Sequence, residues 1–320
     1  MATAKSALVA GVTGQDGALL SHYLLGLGYR VTGTSRDAQT CDTRRLDRLG
    51  IRADVKLISL APNDFRSVLK AISTEQPDEI YNLSGQTSVG LSFEQPVECM
   101  DSIANATLNF LEVLRYLTIP CKFFSAGSTE CFGDTGSIPA NESTAFRPCS
   151  PYGVAKSTAF WQVVNYRKAY GLFCCTGILA NHESPLRPTR FVTQKIIQGV
   201  KAIARGEIQQ LHLGNLDIYR DWGWAPEYVR AMHLILQAET VNDYLIASGH
   251  TYSLRTFAEL AFKCAGLSHD KYLVTDQSLL RPNDLGYSCM DPSLISHQLG
   301  WQASIGIEEI VTRMYDEAPS

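Results

Sequence analysis

The first part of the chain alternates short apolar runs with amphipathic helical patterns, and this alternation constrains the fold more than any other feature. The predicted strands are Ala7–Ala10, Tyr29–Gly33, Val55–Leu60, Glu79–Leu83, Lys122–Ala126 and Phe173–Leu179. The predicted helices between them are Ala18–Leu27, Phe65–Ser73, Val97–Leu117 and Tyr152–Tyr170. Because strand–helix–strand units place their strands side by side in parallel, the pattern predicts an α/β fold, a doubly wound parallel sheet with helices on both faces.

The alternation loosens after about residue 180. Proline and arginine cluster in NHESPLRPTRF, and the segments that follow are a helix over Val192–Arg205, a strand-like LHLGN, a helix near Pro226–Ala238 and a last amphipathic helix from Ile305. We predict two domains, residues 1–180 and residues 181–320. The second is expected to be a smaller substrate-binding region, some of whose segments return to the first domain.

Charge and cysteine usage exclude several classes of protein. The 320 residues carry a formal net charge of −4 without a dominant Lys/Arg cluster, which argues against a nucleic-acid or membrane-surface partner. The nine cysteines show no CxxC or Cys/His ligand spacing, so no metal site is expected. Neither a signal peptide nor an apolar stretch of membrane-spanning length is found, and we predict a reduced, cytoplasmic protein.

A glycine-rich loop follows the first predicted strand. AGVTGQDGALL places Gly11, Gly14 and Gly17 between this strand and the first helix. Such glycines permit a tight turn, close approach to a pyrophosphate and close helix–strand packing, while the helix start supplies amides for the phosphates. In this strand–turn–helix context the loop predicts a dinucleotide site in a Rossmann-type fold. The other loop residues expected to contact the cofactor are Thr13, Gln15 and Asp16.

The end of the second strand bears on which dinucleotide is bound. It reads GTSRDAQ, with small Thr34 and Ser35 before Arg36. An arginine at this place accepts the 2′-phosphate of NADP, whereas a carboxylate there would bind the ribose of NAD. Arg36 therefore favours NADP, and Asp37 beside it is a complication. The alternative is that Arg36 is a solvated loop residue.

The segment SPYGVAKS carries a candidate catalytic pair. Ser150 is expected to cap a helix that has Pro151 at its first position. Tyr152 and Lys156 are then four residues apart on the same helix face. A cation beside a phenol favours the phenolate and makes tyrosine a usable base near neutrality. The alternative for such a pair is an ordinary exposed helix face.

The fourth and fifth strands end in polar residues, where ligands bind in such sheets. After the fifth strand, SAGSTE supplies Ser128 and Glu130, which we expect to share a cavity with Tyr152. Ser128 would bind a substrate oxygen, and Glu130 would act as a second base; alternatively, Ser128 caps the loop and Glu130 is solvated or ion-paired. After the fourth strand, NLSGQ supplies expected cofactor contacts: Leu83, Ser84, Gly85 and Gln86.

Taken together, the motifs resemble one known family. GVTGQDG, EIYNLSGQTSV, STECFG, SPYGVAK, GILANHESP, FVTQKI, LGNLDIYRDWG and RPNDLG are similar to segments of the extended short-chain dehydrogenase/reductases, and within them to the GDP-mannose 4,6-dehydratase family. The resemblance runs in register from about Ala7 to Trp301. NHESP and LGNLD-x-x-RDWG are far more specific than the glycine loop.

The resemblance implies roles for further residues. Glu130 matches the dehydratase glutamate, Tyr152 and Lys156 match the catalytic pair, and Ser128 stands where the family has threonine. His182 and Arg187 occupy positions that touch the cofactor. The positions that hold the GDP-sugar, whose diphosphate needs charge-assisted donors, are Asn181, Lys195, Arg220 and Arg281.

The chain departs from the family pattern in several places. Leu60-Ala61-Pro62 replaces Gly-Asp-Leu near the adenine, and Asp37 replaces a second arginine beside the 2′-phosphate. Ser88 and Gly90 replace bulkier residues near the sugar pocket. Arg45 matches an arginine that in relatives reaches a neighbouring subunit's cofactor, which implies a homotetramer, with a homodimer as the alternative.

The function implied is conversion of GDP-mannose to GDP-4-keto-6-deoxymannose by internal hydride transfer through bound NADP. Three alternatives remain open at this point. One is another nucleotide-sugar 4,6-dehydratase, and the next is a 4-epimerase or 4-keto reductase, which would have no use for Glu130. The last is a non-catalytic NADP-sensing or structural protein, which retention of both Tyr152 and Lys156 disfavours.

Overall fold

The structure is a computed structural model that describes residues 4–280 and 283–317. The chain forms two compact units, each made of segments that are distant in sequence. The first comprises the described residues of Met1–Cys131 with Ser150–Leu179 and Val229–Tyr244. The second comprises Phe132–Cys149, Ala180–Tyr228 and the described residues of Leu245–Ser320. The predicted assignment of cofactor to residues 1–180 and substrate to residues 181–320 stays a prediction.

The secondary structure follows the predicted order. The described strands are β1 (Ser6–Ala10), β2 (Arg30–Ser35), β3 (Lys56–Ser59), β4 (Glu79–Asn82), β5 (Lys122–Ala126), β6 (Cys174–Leu179), β7 (Asn181–Glu183), β8 (Leu211–Leu213), β9 (Tyr219–Trp224), β10 (Tyr244–Ile246), β11 (Thr251–Ser253) and β12 (Leu273–Thr275). The described α-helices are α1 (Gln15–Gly26), α2 (Arg44–Arg48), α3 (Phe65–Glu75), α4 (Val89–Glu94), α5 (Pro96–Met100), α6 (Ala106–Leu117), α7 (Pro151–Tyr170), α8 (Val192–Ala204), α9 (Ala225–Gln237), α10 (Leu254–Cys264), α11 (His269–Tyr272), α12 (Ser293–Leu299) and α13 (Ile307–Glu317). Short 3₁₀-helices cover Thr129–Cys131 and Gln277–Leu279.

A seven-stranded sheet organises the first unit. Its strand order is β10-β6-β5-β4-β1-β2-β3, and β1 to β6 pair in parallel. The order reverses between β1 and β4, which is the switch point where doubly wound sheets open a crevice at their carboxyl ends. Apolar side chains from the strands and from α3, α6 and α7 form a fully buried core. The predicted doubly wound fold is confirmed.

One predicted helix differs from the structure. Val97–Leu117 was expected to be continuous, but α5 passes into a π-helical turn, Asp101–Asn105, before α6 begins. The amide of Ala106 donates to the carbonyl of Asp101, five residues back, instead of four. Such turns are rare, occur mostly as single turns inside α-helices and are frequent at functional sites. The predicted helical segment is therefore present, and five of its residues have π instead of α geometry.

The second unit holds two small sheets and a helical core. Its sheets have the orders β11-β9-β7 and β12-β8. In the first of them, β7 pairs in parallel with β9, so that Asn181 lies opposite Trp222 and His182 opposite Gly223. Apolar residues of α8, α10 and α13 pack around Trp222 and Trp224. The strands β7 and β9, which the sequence did not predict, bring NHE and YRDWGW together.

None of the helices in residues 4–280 and 283–317 combines the length and apolarity that crossing a membrane requires. Within the same ranges, no three side chains of His, Cys, Asp or Glu are grouped so as to hold a metal ion.

Candidate active site

The glycine loop after β1 has little room for side chains. Gly11 adopts a φ of +83°, in the region that favours glycine. The Gly14 amide donates to the Gly11 carbonyl at 3.0 Å, and α1 begins directly afterwards. A Cβ atom on Gly17 would lie 2.3 Å from the Gly11 oxygen. The loop is therefore folded back tightly, with the positive end of the α1 dipole placed for an anion.

Residues 83–86 lie beside the glycine loop, across the switch point. The Leu83 amide donates to the Ala10 carbonyl at 3.0 Å, and a Cβ atom on Gly11 would lie 2.8 Å from the Leu83 oxygen. Ser84 donates from Oγ to Asn82 Oδ1 at 2.6 Å. The two segments predicted to contact the cofactor thus meet at the carboxyl ends of β1 and β4.

The arginines near the loop occupy distinct places. Arg36 is exposed, directly after β2. The neighbouring Asp37 accepts the Gln39 amide at 2.8 Å, and this bond lowers the pKa of its carboxyl group. Arg45 donates from Nη1 to the Thr13 carbonyl at 3.0 Å. Arg45 therefore touches the glycine loop of its own chain, and the implied contact with a neighbouring subunit stays a prediction.

The helix α7 positions the predicted tyrosine and lysine. Ser150 Oγ caps the helix by accepting the Gly153 amide at 3.0 Å, as expected, and Pro151 is the first helical residue. Tyr152 is 8% and Lys156 6% exposed. Lys156 Nζ lies 5.7 Å from the centroid of the Tyr152 ring and donates to the Ala126 carbonyl at 2.6 Å. Burial lowers the pKa of Lys156 to about 8.

The carboxylate-bearing turn follows β5. Ser128 is buried, and its Oγ accepts the Glu130 amide at 3.3 Å, so the hydroxyl caps the turn as the alternative interpretation expected. Its own O–H remains a donor. The Cys131 amide donates to the Ser128 carbonyl at 3.1 Å, and the Cys131 thiol points to the Gly153 carbonyl at 3.8 Å. The turn carrying half-buried Glu130 is therefore fixed against the first turn of α7.

Two predicted cofactor residues lie in the second unit. His182, on β7, is buried, with Nδ1 2.7 Å from the Ala180 carbonyl oxygen. Its ring stacks on Tyr228 at a centroid distance of 4.7 Å. Arg187 Nε lies 3.4 Å from the Glu183 carboxylate, and its guanidinium carbon is 3.8 Å from the centroid of the Phe191 ring. Both side chains therefore make contacts within the second unit.

The predicted substrate residues of the second unit differ in their surroundings. Asn181 is half-buried at the start of β7. Lys195 is exposed and donates to the His212 carbonyl at 3.0 Å. Arg220 is 5% exposed and donates to the Leu285 carbonyl at 2.8 Å and to Asp284 at 3.2 Å. Arg281 lies outside the described residues.

Sequence reasoning missed a group that surrounds the tyrosine. Tyr152 packs in a small buried cluster with Cys99, Ile103, Ala155 and Ala159. Ser102, next to Ile103 in the π-helical turn, accepts the Gln86 amide at 3.2 Å. Nothing in the local pattern distinguishes Ser102 from any other helical serine, because its hydrogen bond is made with a residue 16 positions away.

The fold and this arrangement define a protein class. A doubly wound sheet carries a glycine loop at its switch point and a Tyr-x-x-x-Lys helix after β5. These are features of an extended short-chain dehydrogenase/reductase.

Comparison with known proteins gives the family. The sequence profile described as GDP-mannose 4,6 dehydratase matches residues 8–314. The chain is 41% identical to GDP-mannose 4,6 dehydratase 2 of Arabidopsis thaliana, over 98% of this chain and 86% of that protein. The chain therefore belongs to the GDP-mannose 4,6-dehydratase family.

Solved structures with lower identity share the fold. The UDP-glucose 4-epimerase of Thermus thermophilus, in complex with NAD, has a TM-score of 0.86 and 22% identity, covering 98% of each chain. RMD of Pseudomonas aeruginosa, in complex with NADPH, has a TM-score of 0.80 and 20% identity, again covering 98% of each chain. The fold is thus one that relatives of differing cofactor share.

Proposed function

We propose that the protein is a GDP-mannose 4,6-dehydratase that converts GDP-mannose to GDP-4-keto-6-deoxymannose through bound NADP. Membership of the family supports the reaction class. The observation that carries the proposal is the placement of the Glu130 turn against the first turn of α7, which presents Tyr152 and Lys156. A sugar oxidation alone needs the last two residues, whereas removal of water needs the additional carboxylate.

The residues after β1 and β4 fit a dinucleotide. At Gly11 and Gly17 a Cβ atom would collide with backbone atoms, so both positions require glycine. A loop without side chains at these positions lets a pyrophosphate approach its backbone closely. Gly11 to Gly17 and Leu83 to Gln86 would hold the cofactor, with His182 and Arg187 of the second unit as further expected contacts. When bound, a nicotinamide cofactor would supply the acceptor for the C4 hydride and the source of the hydride for C6.

Tyr152 is proposed to act as the first base. It takes the proton of the sugar 4-hydroxyl as C4 becomes a ketone. The Lys156 ammonium, 5.7 Å from the centroid of the phenol ring, favours the phenolate. Ser128 Oγ accepts the Glu130 amide, so its hydroxyl hydrogen is left for another acceptor. This hydrogen is proposed to be donated to the 4-oxygen of the sugar.

Glu130 is proposed to perform the elimination. The 4-ketone acidifies the C5 proton, which Glu130 removes. The same carboxyl group then protonates the departing 6-hydroxyl, so that one water leaves and a C5–C6 double bond forms. Addition of a hydride at C6, which a bound cofactor would supply, and of a solvent proton at C5 would complete a redox-neutral reaction. A group that serves first as base and then as acid works best when it titrates near the operating pH.

The preference for NADP rests on the end of β2. Arg36 is exposed there, and the Asp37 carboxylate is bound to the Gln39 amide of its own loop. A cation with small neighbours suits a 2′-phosphate. Fluorescence titration should therefore show tighter binding of NADPH than of NADH, and Arg36→Ala should weaken NADPH binding more than NADH binding. Equal affinities for both cofactors in the parent protein would contradict the preference.

The GDP-sugar is proposed to be held by residues of the second unit. Asn181, Lys195 and Arg220 carry donors suited to a diphosphate, as does Arg281. Arg220 already donates to Asp284, so binding a phosphate would require it to share or exchange that partner.

We further propose a homodimer or homotetramer, and a reducing, cytoplasmic location in keeping with the free cysteines.

The decisive experiment is incubation of the purified protein with GDP-mannose and catalytic NADP⁺ in D₂O. The expected product has lost one water and carries deuterium at C5. An epimerase would give an isomer of unchanged mass, and a reductase would need a stoichiometric reductant. No product with GDP-mannose, but water loss from another nucleotide hexose, would correct the substrate and keep the reaction.

A further inference from the structure

We propose that Ser102, on the π-helical turn Asp101–Asn105, is a positioning residue that fixes the backbone of Gly85 and Gln86 for binding of the nicotinamide cofactor. This proposal depends on one part of the proposed function, the binding of a nicotinamide cofactor. It concerns a residue outside the groups that touch the reacting atoms.

The contact with the cofactor segment has two parts. Ser102 Oγ accepts the Gln86 amide at 3.2 Å. Gly85 has a φ of +114°, and a Cβ atom built on it would lie 2.8 Å from the Ser102 carbonyl oxygen. The side chain and the backbone of Ser102 therefore both define where the chain runs after β4. Glycine is required at position 85 because of the close approach as well as the φ angle.

The same turn contacts the cluster that holds the tyrosine. Ile103, the next residue, is buried with Cys99 in the cluster around Tyr152 and Ala155. A Cβ atom on Gly85 would also lie 3.1 Å from Ile103 Cγ1. Adjacent residues of one turn thus touch the predicted cofactor segment and the predicted catalytic helix. The turn sets the spacing between these two parts of the first unit.

The irregular helix geometry is consistent with this role. The bond from the Ala106 amide to the Asp101 carbonyl widens the helix where Ser102 faces Gly85 and Gln86. Single π turns inside α-helices are frequent at functional sites. The contacts of this turn with residues 85 and 86 fit a role in supporting that segment.

The central variant is Ser102→Ala. It leaves the half-buried Gln86 amide without its acceptor, which should weaken NADPH binding about tenfold. The KM for GDP-mannose at saturating NADP⁺ should stay within about twofold, since neither Ser102 nor Gln86 is among the residues proposed to hold the GDP-sugar. Ser102→Thr keeps the hydroxyl and should bind NADPH like the parent protein. Ser102→Val has the shape of threonine without the hydroxyl and should bind as weakly as the alanine variant.

The matched control is Asn105→Ala on the same turn. Asn105 is exposed and donates from Nδ2 to Asp101 Oδ1 at 2.6 Å, away from residues 85 and 86. Its removal should leave NADPH binding unchanged. A loss of NADPH affinity in this variant equal to that of Ser102→Ala would assign the effect to the helix in general and overturn the proposal.

The measurement is titration of the full-length protein with NADPH by fluorescence, with thermal unfolding of each variant to verify folding. Weak binding by the alanine and valine variants, with binding restored by threonine, supports the positioning role. NADPH affinity of Ser102→Ala within twofold of the parent protein overturns it. If the alanine variant does not fold, the threonine–valine pair decides in the same way. A parent protein that binds neither NADPH nor NADH overturns the proposed function, and this inference with it.

Discussion

At the scale of single residues, Lys156 carries a charge that the proposed reaction would use and that burial disfavours. It is 6% exposed, and besides the Ala126 carbonyl its surroundings include the Tyr152 ring and the thiols of Cys99 and Cys131. Burial opposes the ammonium form, which is why the pKa falls to about 8. The same ammonium favours the phenolate of Tyr152. Stability and activity should therefore respond in opposite ways when the charge is removed.

Lys156→Met tests this opposition through the pH dependence of stability. The pKa of the lysine is lower in the folded protein, about 8, than in the unfolded chain, so between these values the unfolded chain binds more protons. The contribution of Lys156 to the free energy of unfolding of the parent protein therefore rises with pH. From pH 7.5 to 9.5 the free energy of unfolding of the parent should gain about 2 kcal/mol relative to that of the variant.

Urea unfolding of both proteins at the two pH values measures this difference, because the other titrating groups are common to both. Product formation by the Met variant should be lost at either pH. A constant difference in unfolding free energy across this range would contradict the buried-ammonium interpretation.

Glu130→Gln separates oxidation from elimination. The amide keeps the size of the side chain but neither takes the C5 proton nor protonates the 6-hydroxyl. Product formation should fall by about 10²- to 10⁴-fold, the typical contribution of one proton transfer. Oxidation at C4 should persist, seen as absorbance of reduced cofactor. The control is Glu239→Gln, an exposed glutamate of the same unit, and a parental rate of product formation in Glu130→Gln would remove Glu130 from the mechanism.

At the scale of elements, the strand–turn–helix unit at β1 and α1 offers a matched pair of glycines. Gly17→Ala would place a Cβ atom 2.3 Å from the Gly11 oxygen, so the loop must shift. We expect a loss of about 1–3 kcal/mol in unfolding free energy, as overpacking gives, and loss of NADPH binding. Gly26, at the end of the same helix, has no atom within 4 Å of a built Cβ. Gly26→Ala should stabilise by about 0.4–1 kcal/mol and leave NADPH binding intact.

Chemical unfolding and NADPH titration of both variants check this prediction. The contrast isolates close packing from the general effect of glycine, since both residues lie in α1. Wild-type NADPH affinity in Gly17→Ala would show that the loop is not the site of the pyrophosphate.

Local pattern predicted the elements well and their interruptions poorly. Lys122–Ala126 has the predicted bounds, and α7 begins with the predicted Ser150 cap, because both depend on neighbouring residues. The π turn could not be predicted in this way, because it involves packing of Ser102 against residues that are distant in the sequence. For the site, the sequence predicted that the polar residues after β5 and at the start of α7 share a site; the structure places these two segments in contact, and the roles of their residues stay predictions. The contact of Arg220 with Asp284 spans 64 positions and leaves no local signal.

At the scale of the whole molecule, the chain returns to its first unit late in the sequence. The segment Val229–Tyr244 belongs to that unit. Its Asp243 accepts the Thr176 amide at 2.7 Å and pairs with Arg167 through both guanidinium branches. The side chains of Arg167 and Asp243 are 15% and 10% exposed. A single carboxylate therefore joins the returning segment to α7 and to β6.

Asp243→Ala should consequently destabilise the protein far more than loss of a surface ion pair. Removing one partner of a buried pair leaves Arg167 uncompensated and the Thr176 amide without its acceptor, which typically costs about 3–5 kcal/mol. Asp217→Ala provides the comparison, because its pair with Arg255 is 70% and 45% exposed on the two side chains. Such exposed pairs contribute about 0–1 kcal/mol. Urea unfolding of the two variants beside the parent protein measures both effects, and equal small losses would mean that the returning segment contributes little to holding the first unit together.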